Sequence, residues 1–345
     1  MSSAAEEAAK RVTGGATLWA TGTQREFAAE CVERAGGMKL TQSLGDRAPA
    51  SGDVVLLGIS VAPDEAMQQK VRHWRDAGTQ VIVFGHRDEA MAKRLEIATW
   101  IDCGQAPGLR VGDKICPSDT VANLANLWAF TGEFIAACTR HGKMPVVYQS
   151  YGLPGGRERA AKYAKATFHD DQKIAPIAAG ALAKEYYQHI DTSLDSLAKG
   201  DARTFETIAG WIASAGPAQC TAQIVGHIFP LHCQDPRAPQ LIHMLQGELA
   251  TVIPTPVVLH IGYQKPPTTL LEEVVKKPFK FFYTSVDLGA RVSGGNLLRL
   301  NPQWPLADAC VEIPGYDVRA LPESGVINAA IYWSIISQAA SNATH

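Results

Sequence analysis

The chain has 345 residues, of which 46% are hydrophobic and 19% are charged, and its formal net charge is −2. This length favours two domains, and the near-neutral charge gives no electrostatic reason to expect nucleic acid or an anionic membrane as a partner. No apolar run reaches the ~18 residues of a membrane-spanning helix, and the first residues lack the apolar core of a signal peptide. Seven cysteines without paired spacing predict reduced thiols and a cytoplasmic location.

The first elements are predicted to be a short helix, a strand and a second helix. They cover residues 4–11, 17–20 and 26–35. The clearest unit follows at 53–85, because the continuous apolar runs Val54–Leu57 and Val81–Phe84 flank a helix with acidic residues in its first turn. This pattern predicts two buried parallel strands joined by a right-handed crossover. Ligands lie at the carboxyl ends of strands in such sheets, so the loop carrying Ser60 is the first candidate for a site.

The middle of the chain predicts more helix than strand. A strand at 97–103, a long helix opening at 117–120, a strand after Pro145, a polar helix at 158–167 and a helical region at 174–215 are expected in turn. In the last of these, Leu182, Tyr186 and Ile190 form one apolar stripe, and Lys199-Gly200-Asp201 marks a turn between two helices. The resulting helical hairpin needs a partner surface for its apolar faces.

The second half of the chain repeats features of the first at a near-constant offset. Val54-Val55-Leu56 is matched by Val257-Val258-Leu259 at an offset of 203, and Gly22 is matched by Gly226 at 204. The pattern Pro-x3-Val-x-Asn-x-Ala-x2-Trp at 117–128 recurs at 322–333, an offset of 205. The sequence therefore predicts a duplicated domain, with a first domain at 1–170 and a helical hairpin plus a second domain at 171–345. Two unrelated α/β domains are the alternative.

Three short motifs carry a family resemblance. They are Arg34-Ala35-Gly36-Gly37, Pro117-Ser118-Asp119-Thr120 and Leu153-Pro154-Gly155-Gly156. Together with the order of elements they resemble the sugar isomerase (SIS) family, closely over 16–165 and weakly over 180–338. The resemblance implies an α/β fold class with two SIS-like (flavodoxin-like) three-layer αβα domains, parallel sheets and internal duplication.

The resemblance also implies a class of ligand. Members of the family bind phosphosugars; many are aldose–ketose isomerases, and others are deglycases, amidotransferase partners or regulators. We therefore expect a phosphosugar-binding protein, with an isomerase or an amino-sugar conjugate deglycase among the enzymatic possibilities. The alternative is a non-catalytic sugar-phosphate-binding, regulatory or structural protein that has lost its active site.

A phosphate needs several hydroxyl and backbone N–H donors that converge at strand ends or at a helix N-terminus. The first domain offers five hydroxyls at such positions: Thr21, Thr23, Ser60, Ser118 and Thr120. The other interpretation is that these hydroxyls cap helices, as Ser and Thr often do. Where the family usually has Ser-x-Ser-Gly, this chain has Ser60-Val61-Ala62-Pro63, which removes one hydroxyl and one N–H donor.

Isomerisation moves a proton between adjacent carbons and needs a general base and an acid. The catalytic candidates, by similarity to related enzymes that use a Glu and a His, are Glu30, Glu185 and His189. Glu26 lies one turn before Glu30, and His189 lies four residues after Glu185 on the same helix face. The alternative for Glu30 is a structural ion pair with Arg34, also four residues away.

The second domain departs further from a phosphate site. Its predicted loops carry His227, His260 and Lys265 in place of hydroxyls, and Glu323 at its helix start would repel a phosphate. This edge of the second domain has either lost phosphate binding or uses these basic side chains to bind a different anion.

We expect no cofactor, metal ion, nucleic acid or membrane partner, and a small-molecule sugar phosphate as the ligand. The densest group of potential metal ligands, His227, His232, Cys233 and His243, fits no standard zinc spacing. The glycine pairs of the chain form no dinucleotide fingerprint. The long helices that start near Ser118 and Ser324 are expected to pair as an internal pseudo-dimer, and a homodimer is left open.

Overall fold

The computed structural model describes residues 1–104, 108–111, 114–200, 202–224, 232–238, 241–246, 255–262, 266–284, 292, 294–301 and 309–343. The chain divides into two compact units. Unit 1 consists of Met1–Pro107, Asp119–His189 and Ala307–Glu323, and unit 2 consists of Gly108–Ser118, Ile190–Leu306 and Ser324–His345. Nothing in this division tests the predicted boundary at residue 170, which stays a prediction.

The predicted helices are present, and the helix Glu89–Leu95 is an additional one that the sequence pattern did not predict. In chain order the helices are α1 (Ser2–Thr13), α2 (Arg25–Glu33), α3 (Glu65–Asp76), α4 (Glu89–Leu95), α5 (Ser118–Arg140), α6 (Gly156–Lys162), α7 (Ala181–Gly200), α8 (Ala202–Ala215), α9 (Thr268–Val274) and α10 (Ser324–Ala343). The α3 helix begins where Asp64 accepts a hydrogen bond from the N–H of Met67 at 2.8 Å, so its side chain satisfies one of the free donors of the first turn. Among the described residues, every helix is too short or too polar to span a lipid bilayer.

Unit 1 is built on a five-stranded parallel sheet. Its strands are β1 (Leu18–Gly22), β2 (Thr41–Ser43), β3 (Val54–Gly58), β4 (Gln80–Gly85) and β5 (Thr99–Asp102). Their order across the sheet is β2-β1-β3-β4-β5. Every residue of β3 is buried, as the continuous apolar run predicts for a central parallel strand with helices on both faces. The prediction of a strand after Pro145 was wrong, because this segment forms only isolated bridges, Pro145 with Phe168 and Val147 with Met38.

Unit 2 contains a second parallel sheet with the same order. Its strands are β8 (Cys220–Ile224), β9 (His243–Gln246), β10 (Val257–Ile261), β11 (Lys280–Thr284) and β12 (Leu297–Leu300). They are arranged β9-β8-β10-β11-β12, so each strand takes the place that its counterpart has in unit 1. This confirms the predicted fold class of two α/β units with parallel sheets.

Each unit also holds a two-stranded antiparallel ladder that comes from the other half of the chain. One ladder, β6 (Leu109–Val111) with β7 (Lys114–Cys116), lies in unit 2, and the other, β13 (Ala309–Val311) with β14 (Ala320–Pro322), lies in unit 1. In unit 1, the N–H of Leu321 donates to the carbonyl of Gly36 at 2.9 Å. The β13–β14 ladder, whose strand residues are buried, is therefore part of the first unit.

Candidate functional site

The strand order of unit 1 determines where a ligand would bind. In a 2-1-3-4-5 sheet the crossovers leave β1 and β3 in opposite directions, which opens a crevice at their carboxyl ends. These two strands end in Gly22 and Gly58, which are partners in the sheet register. A Cβ atom on Gly22 would lie 1.9 Å from the carbonyl oxygen of Gly58, and one on Gly58 would lie 2.3 Å from Cγ of Phe27. Glycine is thus required at both positions, because a side chain would collide with the neighbouring strand or with Phe27.

The hydroxyl of Thr23 holds the two loops of this edge together. Its Oγ1 donates to the carbonyl of Val61 at 2.8 Å and accepts from the N–H of Ser60 at 3.2 Å. The N–H of Thr23 in turn donates to the carbonyl of Gly58 at 2.9 Å. The hydroxyl of Ser60 is half-buried and forms no hydrogen bond with any other described residue. Thr23 therefore holds the loop in place, and the Ser60 hydroxyl beside it is left for another partner.

Thr21 lies in a different cleft. This cleft has a volume of about 370 Å³ and is also lined by Arg47, Lys70 and His73. The guanidinium of Arg47 lies 4.6 Å from the centre of the Trp19 ring. The structure thus brings Thr23 and Ser60 together, whereas Thr21 faces the α3 side of the sheet among cationic groups.

The start of α5 adjoins a buried polar network that the sequence analysis did not identify. Gln24 donates through Nε2 to Oε1 of Glu26 at 2.9 Å and to the carbonyl of Thr120 at 3.2 Å. Asn123 donates through Nδ2 to Oε1 of Gln24 at 2.6 Å and to the carbonyl of Phe84 at 3.1 Å. Gln24, Glu26 and Asn123 are each at most 5% exposed. The backbone of Thr120 is therefore tied through Gln24 to a buried carboxylate and a second amide.

Two of the predicted hydroxyls belong to this helix start. Ser118 is the first residue of α5 and is half-buried, and it falls in unit 2. Thr120 is 4% exposed, and Asp119 beside it is equally buried. An acidic residue in the first turn favours the helix but competes with a bound anion for the same N–H groups.

The candidate base Glu30 is buried in an ion pair. Its Oε2 lies 3.5 Å from Nε of Arg34, the pair that the i, i+4 spacing offered as the alternative to catalysis. Glu30 is only 1% exposed. Burial, followed by the negative charge of Glu30, raises the pKa of the neighbouring Cys31 thiol. The structure thus shows the Glu30–Arg34 ion pair, and the catalytic role of Glu30 stays a prediction.

The other two catalytic candidates lie on one face of α7 and contact the β13–β14 ladder within unit 1. Oε1 of Glu185 accepts from the N–H of Glu312 at 3.2 Å. Nδ1 of His189 lies 3.9 Å from Oε1 of Glu323, which is 1% exposed. Between them, Tyr186 donates through its hydroxyl to the carbonyl of Pro322 at 3.1 Å. Glu30, on α2, is engaged separately from this pair.

A buried histidine cluster also lies in unit 1, and no sequence motif pointed to it. The hydroxyl of Tyr316 accepts from the N–H of Val147 at 3.1 Å and from Nη2 of Arg159 at 2.8 Å, and it lies 2.8 Å from Nε2 of His169. With both lone pairs taken, the hydroxyl must donate to Nε2. Nδ1 of His169 therefore carries the proton and donates to Oδ1 of Asp171 at 3.2 Å.

The surroundings of this cluster keep the imidazole neutral. Burial lowers the pKa of His169, although Asp171 opposes the shift, and burial raises the pKa of Tyr316. Lys162, and then His169, hold the pKa of Asp171 well below its usual range. The cluster joins the segment that carries Tyr316 to the rest of unit 1 through hydrogen bonds to Val147, Arg159 and His169.

In unit 2 the corresponding edge is built differently. Within the described residues, the last register pair of β8 with β10 is Ile224 with Ile261, whereas that of β1 with β3 is Gly22 with Gly58. Gly226, which the sequence offset matched to Gly22, lies outside the described residues. Thr284 is fully buried, and its hydroxyl donates to the carbonyl of Gly262 at 2.8 Å and accepts from its N–H at 3.0 Å. His260 is 2% exposed and stacks on Phe281. His227 and Lys265, the other cationic candidates, lie outside the described residues.

No protein-family model and no curated protein matches the chain. Several solved structures match the chain. The C-terminal domain of glucosamine-fructose-6-phosphate aminotransferase from Francisella tularensis is 13% identical with a TM-score of 0.50, over 97% of this chain and 86% of that one. A candidate phosphosugar isomerase from Silicibacter pomeroyi is 12% identical (TM-score 0.45; 99% and 92% covered), as is another from Bacillus subtilis (TM-score 0.44; 99% and 96% covered).

The first of these likenesses, together with the two parallel sheets, bears on the fold alone. It confirms the fold that the motifs at 34–37, 117–120 and 153–156 implied. The chain therefore has the sugar isomerase (SIS) fold.

Proposed function

We propose that this protein binds a sugar phosphate at the carboxyl edge of the unit 1 sheet. The observation that carries the proposal is the half-buried hydroxyl of Ser60, which follows β3 at this edge and lies in the loop that Thr23 holds. A hydroxyl donor at the carboxyl edge of a parallel sheet suits a phosphoryl group, which accepts several hydrogen bonds. The likeness in fold to a domain of a protein named for glucosamine and fructose 6-phosphate supports the same class of ligand.

The five hydroxyls take unequal parts in this proposal. Ser60 is the principal side-chain donor, and Thr23 supports it by fixing the loop through its own hydrogen bonds. Ser118 and Thr120 lie at the start of α5, and Thr21 lines the cationic cleft beside Arg47. The sugar-phosphate site is thus proposed to be centred on the Ser60 loop.

Isothermal titration calorimetry with fructose 6-phosphate and glucosamine 6-phosphate tests the proposal. Ser60→Ala should weaken affinity about tenfold or more, because a hydrogen bond to a charged oxygen contributes roughly 1.5–3 kcal/mol. The matched control Ser324→Ala, at the start of α10 in unit 2, should change affinity little. Equal losses in both variants, or no binding by the parent protein to either compound, would contradict the proposal.

An isomerase or deglycase is the second candidate, and one observation favours it. Glu185 and His189 share a face of α7, and the imidazole lies 3.9 Å from the buried carboxylate of Glu323, so that a carboxylate and an imidazole are available for proton transfer. Against it, Glu185 already accepts the N–H of Glu312.

Exchange of the substrate C2 proton in deuterated water separates the two candidates. Glu185→Gln keeps an acceptor for the N–H of Glu312 and should leave stability and sugar-phosphate affinity unchanged. If the parent protein exchanges the proton and this variant does not, the protein is an enzyme. If neither exchanges it while both bind the ligand, binding without catalysis is its function.

A further inference from the structure

Three metal-ligating side chains meet at the far edge of the unit 1 sheet, away from the β1–β3 crevice. They are His86, Asp102 and Cys103, and one ligand atom of each lies within 4.8 Å of the others. The parallel pairing of β4 with β5 brings them together, because Gly85 is the register partner of Asp102. The residues that follow each strand, His86 and Cys103, are therefore adjacent, and the N–H of Cys103 donates to the carbonyl of Gly85 at 3.3 Å.

The carboxylate of Asp102 is oriented by backbone donors. Its Oδ1 accepts from the N–H of Arg87 at 3.2 Å and from the N–H of Gly104 at 3.0 Å. These bonds hold the carboxylate in place and leave Oδ2 for another partner, the arrangement that outer-shell hydrogen bonds impose on metal-binding carboxylates. The Arg87 side chain pairs with Glu89 at 3.3 Å, so its positive charge is engaged away from this carboxylate.

His86 supplies the second observation that points to a ligand. Its Nδ1 atom is buried and has no hydrogen-bond partner within the described part of the chain. A buried ring nitrogen without a partner costs free energy unless something satisfies it. Coordination by a metal ion is one way to do so, and it requires the neutral imidazole.

We propose that His86, Asp102 and Cys103 bind a zinc-type divalent cation, with water in the fourth position. Imidazole, carboxylate and thiolate are the three ligand types of zinc sites, and a hard ion such as magnesium would not accept the thiolate. Binding displaces the proton of the Cys103 thiol to solvent. Asp102 is exposed, and His86 and Cys103 are half-buried, so the ion has an entry path and the open position faces solvent.

A second group, His189, Cys310 and Glu323, meets the same distance criterion and provides the control. It is less suited to a cation, since Sγ of Cys310 lies 3.2 Å from the carbonyl of Leu321 and both Cys310 and Glu323 are at most 2% exposed. The two groups each contain one cysteine. Replacing the cysteines one at a time therefore distinguishes the sites.

Cobalt(II) titration of the metal-free full-length protein tests the assignment. A thiolate–cobalt charge-transfer band should appear in the near ultraviolet, disappear in Cys103→Ser and persist in Cys310→Ser. Loss of the band in Cys310→Ser alone, or its absence from the parent protein, would overturn the proposal. Circular dichroism of each variant verifies that it is folded.

Zinc affinity, measured by competition with a chromophoric chelator, tests the other two ligands. Asp102→Asn and His86→Gln should each weaken binding by more than the roughly 10–100-fold that outer-shell changes cost. His73→Gln, an exposed histidine on α3 outside both groups, should have no effect. Unchanged zinc affinity in both ligand variants would contradict the site. None of these measurements depends on sugar-phosphate binding. A negative result here would therefore leave the proposed function untouched, and the failure of the proposed function would leave the metal site untouched.

Discussion

The carboxyl edges of the two parallel sheets differ although the strand order is the same. In unit 1 the central strands end in Gly22 and Gly58, beside Thr23 and the Ser60 loop. In unit 2 the last described register pair of the corresponding strands is Ile224 with Ile261. The buried hydroxyl of Thr284 already forms hydrogen bonds with the carbonyl and the N–H of Gly262. Ile261 carries a fully buried side chain at the register position where Gly58 has none. Two sheets with the same topology thus differ in the residues at their strand ends and in whether a hydroxyl beside them is already hydrogen-bonded.

The largest effect is expected at the glycine pair. Gly22→Ala places a Cβ atom 1.9 Å from the Gly58 carbonyl oxygen and should lower the free energy of unfolding by about 3 kcal/mol or more, because neighbouring backbone must move. Gly210→Ala, in α8 of unit 2 with open space around it, should raise stability by about 0.5–1 kcal/mol. Urea denaturation of both variants measures the contrast. Equal stabilities would show that the close approach of β1 and β3 is not a constraint.

A smaller loss is expected where residues 307–323 join unit 1. Tyr316→Phe leaves the N–H of Val147 and one donor of Arg159 without their acceptor, and should cost about 1–3 kcal/mol. Tyr151→Phe is the control, since Tyr151 is 63% exposed and its hydroxyl faces solvent. Thermal unfolding should separate the two variants. An unchanged melting temperature for Tyr316→Phe would mean that the cluster does not hold this segment.

Restoring a hydroxyl should sharpen the difference between the two edges. Ala62→Ser recreates the Ser-x-Ser spacing after β3 and should raise sugar-phosphate affinity about tenfold, by one further hydrogen bond to a charged oxygen. Ala90→Ser, exposed on α4, is the matched control. Isothermal titration calorimetry measures the sugar-phosphate affinity of both variants. No gain from Ala62→Ser would indicate that the phosphoryl group does not reach this loop.

The smallest effect is a pH dependence confined to unit 1. Because burial lowers the pKa of His169 in the folded state, the unfolded chain binds the proton more readily. The contribution of neutral His169 to the free energy of unfolding is complete above the pKa of ~6.5 that histidine has in the unfolded chain. This contribution is lost as the pH falls through the lower pKa that His169 has in the folded protein. His169→Gln should flatten the pH profile of unfolding over this range, and the exposed His73→Gln should not. Parallel profiles for the parent protein and His169→Gln would refute the assignment.

Local sequence patterns were sufficient to predict most of the helices and strands. The buried run Val54–Leu57, the Asp64 helix start and the long helices from Ser118 and Ser324 all follow from apolar periodicity and capping chemistry. Three motifs were enough to imply the fold. Whether the two halves arose by duplication, and whether their long helices pair, stays a prediction.

Contacts distant in sequence could not be read from these patterns. The number of hydroxyl donors led us to expect Thr21 and Thr23 at one phosphate site. However, β1 ends at Gly22, and of these two residues only Thr23 is hydrogen-bonded to the Ser60 loop. Tyr316 meets His169 because residues 307–323 complete unit 1, a consequence of tertiary structure alone. The same holds for His86 and Asp102, which strand register brings together.

Hydrogen–deuterium exchange with and without fructose 6-phosphate tests the central claim most directly, because it locates the ligand along the chain. Protection is expected in peptides that cover 21–26 and 58–64, at the unit 1 edge, and not in those that cover 220–224 and 257–262. Protection confined to the unit 2 peptides, or binding without protection at 58–64, would contradict the account.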